Sequence, residues 1–263
     1  MTTKPWTTAL LLALLPLAAS TASAEPPSAE ARGLEIAKAV DRANAGFGTE
    51  SSAMQMTLIN AHGETVERKL AIQTIEGEDD GDKSVAAFSW PADVNGTKLL
   101  TWSHKSDDDD QWLYLPAIKR IKRISARNKS GAFMGSEFAY EDLGSQEVEK
   151  FTYRFVREDE IDGRKVWVNE RRPTDERSGY KRQVVYTDQE YMNPLRIEYF
   201  DRKDELLKTG EFSGYTKQGK WWRVGKIDMF NAQTKKRSIL TWSKRTLGVE
   251  LDEDDFESDA LSD

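Results

Sequence analysis

From Glu50 to Trp242 apolar residues recur at every second position in short runs, and turn signals separate the runs. Met54, Met56 and Leu58 share one face, Leu70 and Ile72 recur on the next run, and Val85 to Trp90 forms a third before Pro91. Phe151, Tyr153 and Phe155 alternate with Thr152 and Arg154, and Leu195, Ile197 and Tyr199 alternate with Arg196 and Glu198. Period two with one wet side is the pattern of antiparallel strands. Further candidates are residues 98–103, 111–115, 164–171, 180–187, 206–215, 221–230 and 236–242. Turns are marked at Gly63, Asp80-Gly81, Asp162-Gly163, 201–204 and 217–219, with Asp162-Gly163 the strongest hairpin signal. Ten to twelve strands with essentially no helices between them cannot form a flat sheet, because strand twist accumulates. The sheet must curl or close.

A curled sheet needs something on its inner face, and this chain offers two covers. The first is an amphipathic helix opened by Pro26-Pro27-Ser28, with Ile36, Val40, Ala43 and Phe47 at helical spacing, Leu34 and Ala37 alongside, and Gly46 and Gly48 ending it. The second is the segment from Ser130 to Leu143, where Gly131 and Gly135 bracket Phe133 and Met134 ahead of Phe138 and Tyr140. It follows a strand ended by Pro116 and a short run, Arg120 to Ile124, read as carrying its basic side chains largely on one face. The expected fold is mainly β, a curled antiparallel sheet forming an incomplete, half-open barrel with an N-terminal helix and a short helical lid. A closed barrel with a packed interior is the alternative.

The stretch Trp112, Tyr114, Leu115, Pro116, Arg120, Arg123, Ile124, Ser130, Phe133, Met134, Gly135, Ser136, Phe138, Tyr140, Glu141, Asp142, Leu143 resembles the outer-membrane lipoprotein-sorting protein family, LolA/LolB-like. Weaker similarity runs through 191–208, 221–242 and the tail around Phe256 and Leu261. The resemblance implies an incomplete barrel closed by helices over a hydrophobic cavity. It also implies a carrier role, and association of some relatives with inner-membrane exporters of the RND type. The lid-latching arginine of LolA and the protruding hydrophobic loop of LolB have no assignable counterpart.

Lys4, the apolar run from Ala9 to Ala19 and Ala22-Ser23-Ala24 read as a cleaved secretory signal peptide over 1–24, leaving one domain over 25–263. Loss of the single leader charge, Lys4, takes the net charge from −7 to −8, a balance that disfavours nucleic acid. There is no cysteine, which excludes disulfides, thiolate metal sites, cysteine nucleophiles and the acylated cysteine of bacterial lipoproteins. The expected location is the periplasm without a lipid anchor.

Met54, Met56, Trp90, Trp102, Trp112, Tyr114, Phe133, Met134, Phe138, Tyr140, Met229 and Trp242 are the candidate lining of a cavity for acyl chains, since such side chains adapt to irregular apolar ligands. The same residues would serve equally as ordinary core. Arg120, Lys122 and Arg123, with Lys119, stand out in an acidic protein as candidates for a lipid head group, an anionic membrane or an acidic partner, or as a solvated strand face. Asp107 to Asp110 lacks the glycine and distal glutamate of an EF-hand and reads as an acidic turn; no metal or other cofactor is expected. The run 252–255 reads as a solvated tail whose Phe256 and Leu261 dock on the sheet. His62 and His104 flank no nucleophile motif, and the adjacent Glu141 and Asp142 diverge, which suits them to orient the lid and not to catalyse. No enzyme activity is expected. The functional expectation is a monomeric carrier of lipid or lipoprotein acyl chains between an inner-membrane donor and an outer-membrane acceptor, or else an accessory protein of an RND-type exporter.

Overall fold

A computed structural model describes residues 1–2 and 27–262; the signal-peptide reading over 1–24 lies outside the residues that carry structural detail. Helix α1 (Ala29–Asn44) is followed by fifteen strands among the described residues. The first six are β1 (Thr49–Ile59), β2 (Thr65–Ile75), β3 (Lys83–Trp90), β4 (Lys98–Trp102), β5 (Asp110–Leu115) and β6 (Arg120–Ile124). After a long connection come β7 (Phe151–Ile161), β8 (Arg164–Pro173), β9 (Tyr180–Asp188), β10 (Asn193–Asp201) and β11 (Leu206–Ser213). The chain continues through β12 (Thr216–Gln218), β13 (Trp221–Arg223), β14 (Lys226–Asn231) and β15 (Arg237–Leu247).

Thirteen of them make one antiparallel sheet in the order β6-β5-β4-β3-β2-β1-β15-β14-β11-β10-β9-β8-β7. Strand β15 returns to pair with β1 and joins the two meanders. The expected 221–230 strand divides, because Gly214 and Gly225 meet so closely that a Cβ on Gly225 would stand 2.4 Å from the Gly214 carbonyl oxygen. There the β12–β13 hairpin leaves the sheet. At the β7–β8 turn both Asp162 (φ 50°) and Gly163 (φ 79°) are left-handed, as a two-residue turn matching sheet twist requires.

Strands β6 and β7 are edges and do not pair with each other. Leu113 on β5 and Tyr180 on β9 nevertheless belong to one buried cluster, and Asp108, two residues before β5, is bonded directly to Arg177, three residues before β9. Nine strand spacings separate β5 from β9, roughly 43 Å in a flat sheet at about 4.8 Å each. The sheet is therefore curled, with the cluster on its inner face. Salt bridges lace the opening between the edges: Arg177 to Asp108 (2.6 Å), Lys129 to Asp175 and Lys150 to Asp109. Burial pushes the Asp175 carboxyl up, but the hydrogen bonds from Arg177 and Lys129 outweigh it and hold the group below the usual carboxylate range.

Ser28 caps α1, its Oγ accepting from the Ala31 amide at 3.1 Å. The helix is seated on β7 through Gly33, where a Cβ would stand 2.7 Å from the Phe155 nitrogen and 2.8 Å from that of Arg154. The edge connection crosses the inner face. It is built of single 3-10 turns, Phe133–Gly135 and Tyr140–Asp142 among them, without an α-helix. Met134 (φ 49°) and Gly135 (φ 76°) reverse the chain so that the Phe133 amide meets the Phe138 carbonyl at 2.7 Å, and both rings point inward, 1% and 4% exposed.

The outer face of the first meander is also covered. Phe256 and Leu261 pack with Val85 and Leu100 and with Trp102, Trp112 and Tyr114. The Trp102 indole donates to the Phe256 carbonyl at 2.7 Å, so the expected docking of the tail is observed. No helix among the described residues is long and apolar enough to cross a membrane.

Candidate ligand cavity

Between α1, the inner face of β7–β11 and β14, and the end of the edge connection lies a cavity of about 990 Å3. Its apolar wall comes from Ile36, Val40, Val185, Ile197, Phe212 and Met229, with Phe138 closing one side. Register explains the room. Asn169, Val185, Ile197, Gly210 and Met229 are successive partners across β8, β9, β10, β11 and β14. At Gly210 a side chain would be forced against Met229 and Phe212, each of which has an atom 3.2 Å from where a Cβ would stand.

One row along the same strands is polar. Tyr153 on β7 pairs with Arg171 on β8, Arg171 with Gln183 on β9, Gln183 with Tyr199 on β10 and Tyr199 with Lys208 on β11. The row carries two cations. Lys208 is neutralised: its Nζ donates to Asp142 Oδ2 and to the Glu137 carbonyl, both at 2.7 Å, with side chains 4% and 7% exposed for Lys208 and Asp142. Asp142 also accepts from the Ala139 amide (2.7 Å) and the Tyr180 hydroxyl (2.9 Å), while Glu141 accepts from Ser178 Oγ (2.7 Å) and the Gly179 amide (2.9 Å). The adjacent acids thus anchor the cover to the sheet, as expected of them. Arg68 adds a hydrogen bond to the Met134 carbonyl.

Arg171 is different. Its Nε donates to Gln183 Oε1 (2.7 Å) and its Nη2 to Gln146 Oε1 (3.1 Å), and its guanidinium lies 4.3 Å from the centre of the Phe151 ring. Among the described residues no carboxylate lies within ion-pair distance of it. Burial pushes its pKa down, against the pull of Tyr153, Tyr199 and Asp142. Burial likewise raises the Tyr153 phenol to about 12 and raises that of Tyr199.

Carboxylates line the cavity elsewhere. Glu76 accepts from the Gly46 amide (2.5 Å) and the Gly48 amide (2.6 Å), tying the end of α1 to β2, and Asp80 engages His104 Nδ1 at 2.6 Å. Asp82 is lifted to about 6 by burial, with Glu147 and Glu76 adding to the effect.

Of the twelve residues proposed from sequence as cavity lining, Phe138 and Met229 reach the cavity. Met54, Met56 and Phe133 are in the same buried cluster, with Met134, Tyr140 and Trp242 packed against it. Trp102, Trp112 and Tyr114 point to the other side of the sheet, under the C-terminal tail, because alternation along β4 and β5 sends Leu99 and Leu113 inward instead. Trp90 is 48% exposed. The basic run is not one-sided: period two puts Arg120 and Lys122 on one face of edge strand β6 and Arg123 on the other, over Trp112 and bonded to Asp110. Asp108, Asp109 and Asp110 each take a cation of this chain, Arg177, Lys150 and Arg123. From sequence Tyr153 and Tyr199 read only as apolar-face strand positions, and Arg171 and Lys208 are not singled out. An isolated charge within an alternating run reads as a wet-side residue.

A family model described as an uncharacterized protein matches residues 80–263. No curated protein matches. Among solved structures, a domain from Vibrio parahaemolyticus ascribed to outer membrane lipoprotein sorting is 45% identical, with a TM-score of 0.87 over 88% of this chain and 99% of that one. A DUF1329 family protein from Desulfovibrio piger is 29% identical, with a TM-score of 0.86 over 89% and 100%. A LolA superfamily protein from Nitrosomonas europaea, 18% identical, matches in fold with a TM-score of 0.70 over 87% and 98%. Identity and coverage of this order, together with the recognised run from Trp112 to Leu143, mean that the chain belongs to the outer membrane lipoprotein-sorting protein family and has a LolA-like fold.

Proposed function

We propose that this protein is a periplasmic carrier that shields the acyl chains of a lipid or lipoprotein in transit between the inner and outer membranes. In this reading the curled sheet is a half-open barrel, α1 and the edge connection are its covers, and the space between them is the cargo site. The observation that carries it is the cavity of about 990 Å3 with its wall of Ile36, Val40, Val185, Ile197, Phe212 and Met229. That volume stands at the upper end of ligand pockets, about 300–1,000 Å3. Each methylene withdrawn from water contributes about 0.8 kcal/mol, so an acyl chain supplies the driving force without covalent chemistry. Release then needs an acceptor that competes for the same chain. The exposed Arg120 and Lys122 of edge strand β6 would face the membrane or partner that delivers or takes the cargo.

The test is native mass spectrometry with lipid extraction on protein purified from its own periplasm without detergent. A stoichiometric lipid or acylated peptide is expected. An empty protein that also refuses fluorescent acyl probes would overturn the carrier reading and favour the accessory role at an exporter.

A further inference from the structure

Resting on the carrier reading and narrowing its cargo, we propose that the cavity takes an anionic amphiphile whose head group is received by Arg171 with the hydroxyls of Tyr153 and Tyr199. The three residues stand in one cross-strand row and all line the cavity. An arginine offers five N–H donors. Gln183 and Gln146 engage two of them, which leaves three, in a fork suited to a carboxylate or a phosphate. Both glutamine contacts hold the guanidinium in place without neutralising it.

Charge arithmetic along the row supports an anion. Lys208 and Asp142 cancel, so the row holds one positive charge in excess. A half-buried cation with no carboxylate partner among the described residues is poorly compensated, and a ligand carboxylate or phosphate would supply the missing counter-charge on binding. Carboxylates line the cavity as well, Glu76, Glu78, Asp80 and Asp82 from the segment after β2 and Asp41 and Glu147 within electrostatic reach of Tyr153, so an anionic head group is favoured only in direct contact with Arg171. From there the apolar row of Val185, Ile197 and Met229 runs alongside, separated from the polar row by one pleat repeat of each strand. Head and tail thus have adjacent tracks. Ester-linked acyl chains carry no formal charge, so a lipoprotein's glyceride would leave Arg171 uncompensated, whereas a free fatty acid or a phosphorylated lipid would satisfy it.

The experiment is calorimetric titration of delipidated protein with palmitate, hexadecyl phosphate, hexadecanol and hexadecylammonium, which share one chain and differ in head group. Palmitate or hexadecyl phosphate is expected to bind about 10- to 100-fold more tightly than hexadecanol, as charge-assisted hydrogen bonds allow. Whichever anion is tighter identifies the head as carboxylate or phosphate. Arg171→Met should abolish that preference while leaving hexadecanol affinity within about threefold, and Tyr199→Phe, which keeps the ring, should weaken the preferred anion by about three- to tenfold. A hexadecanol affinity unchanged in Arg171→Met also certifies that the variant is folded. Equal binding of acid and alcohol by the unaltered protein, or tighter binding of the ammonium, overturns the anion assignment and leaves the carrier reading standing. Failure of all four ligands overturns both.

Discussion

Replacing Lys208 by methionine tests whether the edge connection is pinned to the sheet by charge. Lys208 Nζ lies 2.7 Å from Asp142 Oδ2 and 2.7 Å from the Glu137 carbonyl, and it sits over the rings of Tyr180 and Tyr199 at 5.2 and 5.1 Å. With 4% and 7% of the two side chains exposed, water does not screen the pair. Methionine preserves the length of the stem but leaves Asp142 as a buried anion with only the Ala139 amide and the Tyr180 hydroxyl, and leaves the Glu137 carbonyl without its ammonium. Breaking a buried pair from one side costs about 3–5 kcal/mol. Asp142→Asn should cost a similar amount by stranding the ammonium. The double variant Lys208→Met, Asp142→Asn removes both charges and keeps an amide oxygen for Ala139 and Tyr180, so it should be more stable than the sum of the singles implies by about 2 kcal/mol or more. Urea unfolding followed by tryptophan fluorescence measures all four proteins on one scale, provided the m-values agree. A Lys208→Met cost below about 1 kcal/mol, or strict additivity in the double variant, would refute the argument.

Three further outcomes follow from single sites. Asp82 is raised to about 6 by burial, above its unfolded value, so the folded state holds the extra proton between about pH 4 and 6; the associated stability is full below that window and lost as pH rises through it. Asp82→Asn should therefore flatten stability between pH 4 and 7 and gain about 1–3 kcal/mol at pH 7.5, and an unchanged pH slope in chemical unfolding would disprove this. Gly33→Ala should lower the unfolding temperature through a steric cost of about 1–3 kcal/mol, because the obstructing atoms are β7 backbone, even though alanine favours a helix by about 1 kcal/mol; a rise would mean that α1 is not seated through Gly33. Phe256→Ala, at a side chain 1% exposed, should cost about 3–5 kcal/mol and shift the emission of Trp102 and Trp112 to longer wavelength, and unperturbed emission would argue against the docked tail.

Local chemistry made much of this architecture readable in the chain. Alternation in Met54, Met56 and Leu58, the Asp162-Gly163 turn and the spacing of Ile36 and Val40 are decided within a few residues of each other, because pleat, turn and helix are short-range geometries. The run from Trp112 to Leu143 marked the cover, and Glu141 and Asp142 anchor it as their position suggested. Which of two faces a residue serves was another matter. Both faces of the first meander are buried, one by Phe133 and Phe138 and the other by Phe256 and Leu261, so aromatic character could not distinguish Trp112 from Leu113.

The chain by itself determined a wide antiparallel sheet, one amphipathic helix and an aromatic cover, since propensity and periodicity are properties of neighbouring residues. Only the tertiary structure decided where the polar row runs. Tyr153, Arg171, Gln183, Tyr199 and Lys208 lie far apart along the chain and become neighbours through the register of five strands. That register is set by long-range pairing and by the curl that turns the row inward. A charge that looks solvated along its own strand faces a cavity once the strands on either side have closed around it.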